Sequence, residues 1–316
     1  MALAALESGK RSPTTLVNDP GYWMFGDHKF RSHGDHGLGA VDMYRSIVLS
    51  SNVYYYSLAN ELGVDAIFNF MKPLGFGQLT GIDISGEVKG VLPSTEWKRQ
   101  NYKKPEQQKW YSGETISLGI GQGYNTFTML QLASATATLA SGGLKYKPQL
   151  VLATQDAVTR TKTTINTTNP VDLQYKADNV SVIHKALGGV PSEGTSARAF
   201  SGAAYRSGGK TGTAQAVTIG QKDKYDSRRI DEHLRDHALY MAFAPLETPQ
   251  IAVAIVVENA GFGAEHAAPI ARRVFDYVVM GQYPSKEDIA AVQLAKAAAP
   301  IGKARLVKDL TWPLVD

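Results

Sequence analysis

The seven residues from Ile251 to Val257 constrain the fold of this chain more than any other run in it. In an extended strand Ile251, Val253, Ile255 and Val257 fall on one face, and Ala252, Ala254 and Val256 on the other. A strand apolar on both faces must be covered on both, which predicts a central strand between helical layers. Its alanine face lets a helix approach closely. Ala267 to Met280 is the predicted cover, with Pro269 in its first turn and Gly281 just past its end. His237 to Ala244 and Lys210 to Ile219 read as two more strands, the latter preceded by Ser207-Gly208-Gly209.

The first half of the chain has a different pattern. Residues 1–8 read as helix closed at Gly9, residues 18–40 as a loop rich in Gly, His and aromatics, and Val41 to Leu49 as helix. After a polar break at Ser50-Ser51-Asn52, Val53 to Leu62 reads as helix ending at Gly63. Asp65 is placed to cap the next short helix, and Thr126 to Ser141, before Gly142-Gly143, is the longest helical pattern of this half. Gln149 to Ala153 is a strand candidate, 155–180 an exposed loop, Asn179 to Leu187 a helix, and 220–236 a charged segment. Helices followed by antiparallel strands and a closing helix define an α+β fold, an antiparallel sheet covered by helices. At 316 residues the chain suits one large domain, read as 1–282, and a C-terminal tail, 283–316, helical around Lys286 to Ala299.

Composition excludes some chemistry. The chain has no cysteine, so neither disulfides nor thiolate catalysis are open to it. A net charge of +4 spread over loops does not argue for nucleic acid, and Lys98, Arg99, Lys103, Lys104 and Lys109 read as a solvated basic loop. No apolar run approaches the ~20 residues that span a bilayer.

Two motifs carry chemistry. Lys210-Thr211-Gly212-Thr213 sets an ammonium and two hydroxyls along a strand, with Gly212 leaving the backbone bare for an approaching ligand. Such an edge suits an extended peptide ending in a carboxylate. Ser50-Ser51-Asn52, between two helices, offers a hydroxyl to relay a proton and an amide to hold a substrate amide. In this order S-x-N and K-T-G resemble the serial signature of penicillin-binding proteins and class A β-lactamases.

Further stretches sharpen the resemblance. Gly119-Ile120-Gly121-Gln122-Gly123-Tyr124 resembles a segment of class B penicillin-binding proteins. Thr80-Gly81-Ile82-Asp83, Leu92 to Lys98, Glu232 to His237, Ala242-Phe243-Ala244-Pro245, Glu258-Asn259 and Ala267-Ala268-Pro269 look like the elongation type, penicillin-binding protein 2. The segments Thr95 to Lys98 and Leu234 to His237 favour it over the division type, the nearest alternative. No deacylating carboxylate points to a β-lactamase. The resemblance covers roughly 1–282 and implies the penicillin-binding transpeptidase (serine β-lactamase-like) fold, including an all-helical subdomain.

The family's Ser-x-x-Lys stands at the start of a helix whose continuation resembles Met1 to Glu7. The expectation is therefore that the nucleophilic serine and its lysine precede Met1 and that this chain alone is inactive. A non-catalytic ligand- or partner-binding fragment is the other reading. The literal Ser207-Gly208-Gly209-Lys210 is a glycine turn before a strand and is rejected as the nucleophile. It is no phosphate loop either, since Ala204 stands where the first glycine is needed.

The resemblance implies D,D-transpeptidation of peptidoglycan stem peptides. Ser50 would pass a proton to the leaving amine, Asn52 hold the substrate amide, Lys210 set the potential and bridge to Ser50, and Thr211 and Thr213 bind the terminal carboxylate across bare Gly212. Implied partners are stem peptides ending in D-Ala-D-Ala, β-lactams, and a membrane glycosyltransferase for the full-length protein, at the periplasmic face of the inner membrane. No nucleic acid and no cofactor are expected. Asp27, His28, His33, Asp35 and His36 could ligate a metal, and the resemblance implies zinc near this loop in some elongation-type relatives. Ser32 and Ser51 stand where an Asp and a Cys would be ligands, so no metal is assigned.

Overall fold

The structure, a computed structural model, describes residues 1–32, 36–216, 230–294 and 298–310. The predicted strand residues 217–219, residues 220–229 of the charged segment, and His33 and Asp35 lie outside them.

Local sequence signals explain most of the helical half. Helix α1 (Ala2–Glu7) is almost wholly buried. The loop predicted over 18–40 instead contains two short antiparallel pairs, β1 (Val17–Asp19) with β4 (Gly39–Val41), and β2 (Tyr22–Phe25) with β3 (His28–Arg31). Gly26-Asp27, with Gly26 at φ +56°, is a hairpin turn that the Gly and His content masked. Helix α2 (Met43–Val48) starts at Asp42, whose carboxylate accepts the Arg45 N–H. Helix α3 (Asn52–Leu62) starts at Ser51 and stops at Gly63, φ +78°. Asp65 sits in the first turn of α4 (Val64–Met71), but its carboxylate accepts from Thr95 N–H and Oγ1, holding the start of α5 (Thr95–Asn101) rather than its own helix.

Short helices α6 (Pro105–Gln108) and α7 (Ser112–Leu118) follow. Here the basic cluster divides. Lys98 is 3% exposed and forms a 2.5 Å ion pair with Glu114, while Arg99, Lys103, Lys104 and Lys109 are exposed. The solvated-loop reading thus fails for Lys98, whose ammonium also lies within 6 Å of the Trp110, Tyr111 and Tyr124 rings. Helix α8 (Met129–Ala140) is closed at its start by a Thr128–Gln131 capping box. Strand β5 (Leu144–Lys145) pairs with β8 (Val171–Asp172), and β6 (Ala153–Gln155) with β7 (Lys162–Thr164). The strand predicted from Gln149 begins only at Ala153, because Asp83 accepts the Leu150 and Val151 N–H groups a strand partner would need. Helix α9 (Ala177–Ser192) runs past the predicted Leu187 through two glycines, and short α10 (Ala197–Phe200) follows.

The sheet of β9 (Gly208–Ala214), β10 (His237–Ala244) and β11 (Ile251–Val257) is antiparallel, in the order β11-β10-β9. Among the described residues β11 is therefore an edge strand, not the centre. Its two-sided apolar pattern still has two covers. Alanine-rich α8 packs along β11, and Ala252 joins the core that holds Ala140, α1, α2 and α9. Ile251, Val253, Ile255 and Val257 face the core that holds α12 (Ala268–Met280) through Ala268, Ala271 and Phe275. The predicted faces were thus exchanged: small residues on both α8 and β11 allow the closer approach there. Helix α11 (Gly263–His266) lies against β10 where Gly263 has no room for a side chain, since a Cβ would fall 2.0 Å from the Leu239 carbonyl oxygen.

Beyond Gly281 the chain returns to α12. Strand β12 (Gln282–Tyr283) pairs with β13 (Arg305–Leu306), and α13 (Lys286–Gln293) carries Asp288, fully buried and bound bidentately by Arg273 of α12 at 2.6 and 2.9 Å. Removing one partner of a buried pair strands the other charge. Arg273→Ala is expected to lower unfolding free energy by about 3 kcal/mol. Arg206→Ala, which breaks an exposed pair with Glu247, should leave it nearly unchanged. Urea unfolding of both variants checks this, and equal effects would refute the role given to Arg273.

Candidate active site

The turn between α2 and α3 presents Ser50 in an unusual way. Leu49 caps α2, the Ser50 N–H reaches back to the Ile47 carbonyl at 3.3 Å, and the Ser51 N–H to the Ser46 carbonyl at 2.9 Å. These bonds form a Schellman motif, whose left-handed residue is usually glycine. Here it is Ser50, at φ +58°. The next residue starts α3: the Ser51 hydroxyl accepts the Tyr54 N–H and donates to buried Asp19 at 2.5 Å. Two caps back to back hold Ser50 between them.

Lys210 comes from β9. Its ammonium donates to Ser50 Oγ at 2.6 Å and to the Thr211 carbonyl at 2.9 Å, and among the described residues it forms no ion pair. Burial without a compensating carboxylate pushes its pKa down to about 8. The group remains mostly protonated at neutral pH yet can surrender a proton near it, which suits an electrostatic anchor coupled to a hydroxyl relay.

Strand register sorts the other predicted residues. Lys210 lies opposite Met241, Thr211 opposite Tyr240, Gly212 opposite Leu239 and Thr213 opposite Ala238. Lys210 and Gly212 thus share one face of β9, and Thr211 and Thr213 the other. No further strand among the described residues pairs with β9, so its outer edge has no strand partner there. Asn52 is the first residue of α3, two residues from Ser50, and the Tyr56 hydroxyl one turn further along donates to the Arg31 carbonyl at 3.0 Å. Asn52 makes no hydrogen bond to Lys210. Ser207 is buried, and among the described residues its hydroxyl has no hydrogen-bond partner.

Two residues escaped the sequence reading. Gln122, in the loop after α7, donates to the Thr213 carbonyl at 3.4 Å. Its glycine-rich loop is legible in the sequence only as a family resemblance. Thr195, between α9 and α10, shares a 2.9 Å hydrogen bond with the Thr211 hydroxyl, and no local pattern marks it. Of the candidate metal ligands, His33 and Asp35 lie outside the described residues. Zinc takes thiolate, imidazole and carboxylate; Ser32 and Ser51 offer hydroxyls, and that of Ser51 is engaged with Asp19. Among the described residues no three His, Asp or Glu side chains converge.

The chain is similar to known proteins in sequence and fold. The profile of the penicillin binding protein transpeptidase domain matches residues 1–276, and the chain belongs to that family. Within it the elongation-type resemblance holds. The chain is 38% identical over 296 residues to the peptidoglycan D,D-transpeptidase MrdA of Haemophilus influenzae, covering 91% of this chain and 44% of that one. Penicillin-binding protein 2 of Pseudomonas aeruginosa, solved in complex with WCK 5153, is 36% identical with a TM-score of 0.71, over 87% of this chain and 56% of that one. Penicillin-binding protein 2 of Helicobacter pylori, solved with MreC, is 26% identical with a TM-score of 0.71, over 85% of this chain and 46% of that one. The chain spans just under half the length of the curated relatives it matches first.

Two outcomes follow from the geometry. Ser50→Gly and Ser50→Ala both remove the hydroxyl, but only glycine relieves the left-handed backbone. Ser50→Gly should therefore be more stable than Ser50→Ala by about 1 kcal/mol in denaturant unfolding. Between pH 8 and 10.5 the unfolded chain binds the proton that folded Lys210 has released, so Lys210 makes stability rise with pH across that window. Its cost is fully present below pH 8. Unfolding of Lys210→Met from pH 7 to 10.5 should show a shallower rise than the parent chain, and parallel curves would refute the burial of the ammonium.

Proposed function

We propose that this chain forms the substrate-reading part of an elongation-type peptidoglycan D,D-transpeptidase. The observation that carries the reading is the Lys210–Ser50 hydrogen bond on the Lys210–Thr213 strand, whose outer edge has no strand partner among the described residues. In this reading a stem peptide ending in D-Ala-D-Ala lies along β9. Thr211 and Thr213 bind its terminal carboxylate, and Lys210 supplies positive potential. The reading requires a nucleophilic serine, with a lysine as base, from the family's Ser-x-x-Lys segment placed beside Ser50 and Lys210.

Attack on the penultimate D-Ala carbonyl forms the ester bond of an acyl-enzyme and breaks the peptide bond. The Thr213 N–H takes half of the oxyanion, and the Ser50 hydroxyl passes the proton to the departing amine of D-Ala. Asn52 holds the substrate amide. An amine from a second stem peptide then attacks the ester, forming the cross-link and freeing the serine. A β-lactam enters the same edge by presenting a carboxylate and a strained amide.

The full-length protein would act at the periplasmic face of the inner membrane beside a membrane glycosyltransferase. Support comes from two relatives, one solved with MreC and one described in a peptidoglycan synthase complex that coordinates polymerization and crosslinking. No helix among the described residues is long and apolar enough to cross a membrane.

The test is intact mass after incubation with a fluorescent penicillin. The chain of 316 residues should carry no adduct, and a chain that includes the Ser-x-x-Lys segment should carry one per molecule. An adduct on the shorter chain, mapped to Ser50 or Ser207, would overturn the assignment of the nucleophile. No adduct on either would overturn the functional reading.

A further inference from the structure

The polypeptide between α9 and α10 passes from one layer of the molecule to another. Helix α9 packs in the core with α2 and Phe243, on the Lys210 face of the sheet. Ala199 and Phe200 of α10 pack in the other core, with Tyr240 and α12. The residues joining them must cross a sheet edge, and their contacts show which. Thr195 bonds to Thr211 on β9. Ser196 Oγ shares a 2.9 Å bond with the Tyr240 hydroxyl, which lies over Gly209 so closely that a Cβ there would sit 2.2 Å from it. Thr211 and Tyr240 are register partners, so adjacent residues of one turn bind adjacent strands at the same level.

The same turn also holds α2. The Thr195 N–H donates to the Val48 carbonyl at 3.3 Å, two residues before Ser50. Gly194 lies so near that a Cβ would fall 2.5 Å from that carbonyl oxygen, and a Cβ on Gly189 would fall 2.5 Å from the Tyr44 hydroxyl. Glycine at both positions lets the end of α9 close on α2. Lys210 and Ser50, from elements far apart in sequence, are thus referred to one short segment.

We infer that Thr195 is a positioning residue: its N–H fixes the Ser50 turn while its hydroxyl orients that of Thr211 toward the carboxylate of a peptide ligand. This rests on the carboxylate-reading edge of the proposed function. When the Thr195 hydroxyl donates to Thr211 Oγ1, the Thr211 proton is left for the ligand, and the two bonds reinforce one another. Valine at 195 keeps the shape and the N–H but removes the donor. Thr211 is then free to turn to other acceptors, and β9 loses one tie to the segment that holds α2.

The experiment compares Thr195→Val and Thr195→Ser with the parent chain. Calorimetry measures binding of a D-Ala-D-Ala-terminated peptide and of the same peptide amidated at its C-terminus. Thr195→Val should weaken the free acid about tenfold, by the loss of one hydrogen bond to a charged group. It should leave the amide unchanged, and Thr195→Ser should restore the parent affinity. NMR of the Lys210 side chain supplies a readout that needs no ligand: the titration midpoint should rise toward 10.5 in Thr195→Val as the buried contact loosens, and stay put in Thr195→Ser. If the parent chain binds acid and amide alike, the carboxylate-reading edge fails and the Lys210 midpoint alone decides the positioning role. If neither affinity nor midpoint moves in Thr195→Val, the inference is wrong.

Discussion

A partly buried ammonium with no carboxylate partner among the described residues is the constraint around which this structure is arranged. Lys210 loses much of its hydration and, among the described residues, gains two neutral oxygens, Ser50 Oγ and the Thr211 carbonyl. Such a group holds its place only if its acceptors cannot drift. The rest of the molecule fixes them. Ser50 is locked between the end of α2 and the start of α3, Ser51 is anchored by Asp19, and α9 packs against both α2 and β9. Two cores on opposite faces of the sheet keep β9 from shifting. The site is costly in the places where it is specific.

Ser50 shows how that cost is distributed. A left-handed serine in place of glycine is strained by roughly 1–2 kcal/mol. The motif tolerates it because the hydrogen bonds of the turn do not depend on the side chain. What the substitution gains is a hydroxyl projecting from a position where the backbone is otherwise fully determined. A serine inside either helix would be better accommodated and worse aimed. The usual grammar of helix ends is broken at one residue, and that residue is the one facing Lys210.

This explains what could be read from the sequence and what could not. Strands β10 and β11, helix α12 and the Gly63 stop follow local rules of period and capping, and each lies where those rules put it. Ser50, Asn52 and Lys210 to Thr213 were visible as motifs because their residue types are chemically pointed. The hairpins within 18–40 were hidden by composition, and the fate of Lys98 by an acid sixteen residues away, at Glu114. The exchange of covers on β11 could not be seen locally, since α8 and α12 both offer alanines to a strand. Thr195 was invisible for the same reason. A threonine in a turn acquires meaning only from the residue it meets across the fold.

The alternation along β9 shows why a strand, and not a helix, carries the motif. A helix would place Lys210 and Thr211 about 100° apart and would engage every backbone group between them. A strand sends Lys210 to one face, where Ser50 waits, and Thr211 and Thr213 to the other, while its outer edge keeps backbone groups for a ligand. Gly212, between the threonines, keeps the Lys210 face bare there, where a Cβ would meet that of Leu239 at 3.3 Å. The Gly194–Ser196 turn then crosses the edge at Thr211, tying the hydroxyl face to the helix that holds the ammonium's acceptor. Proton relay and ligand recognition are chemically separate demands, and in this chain one short strand meets both because its two faces and its edge are each given a different partner.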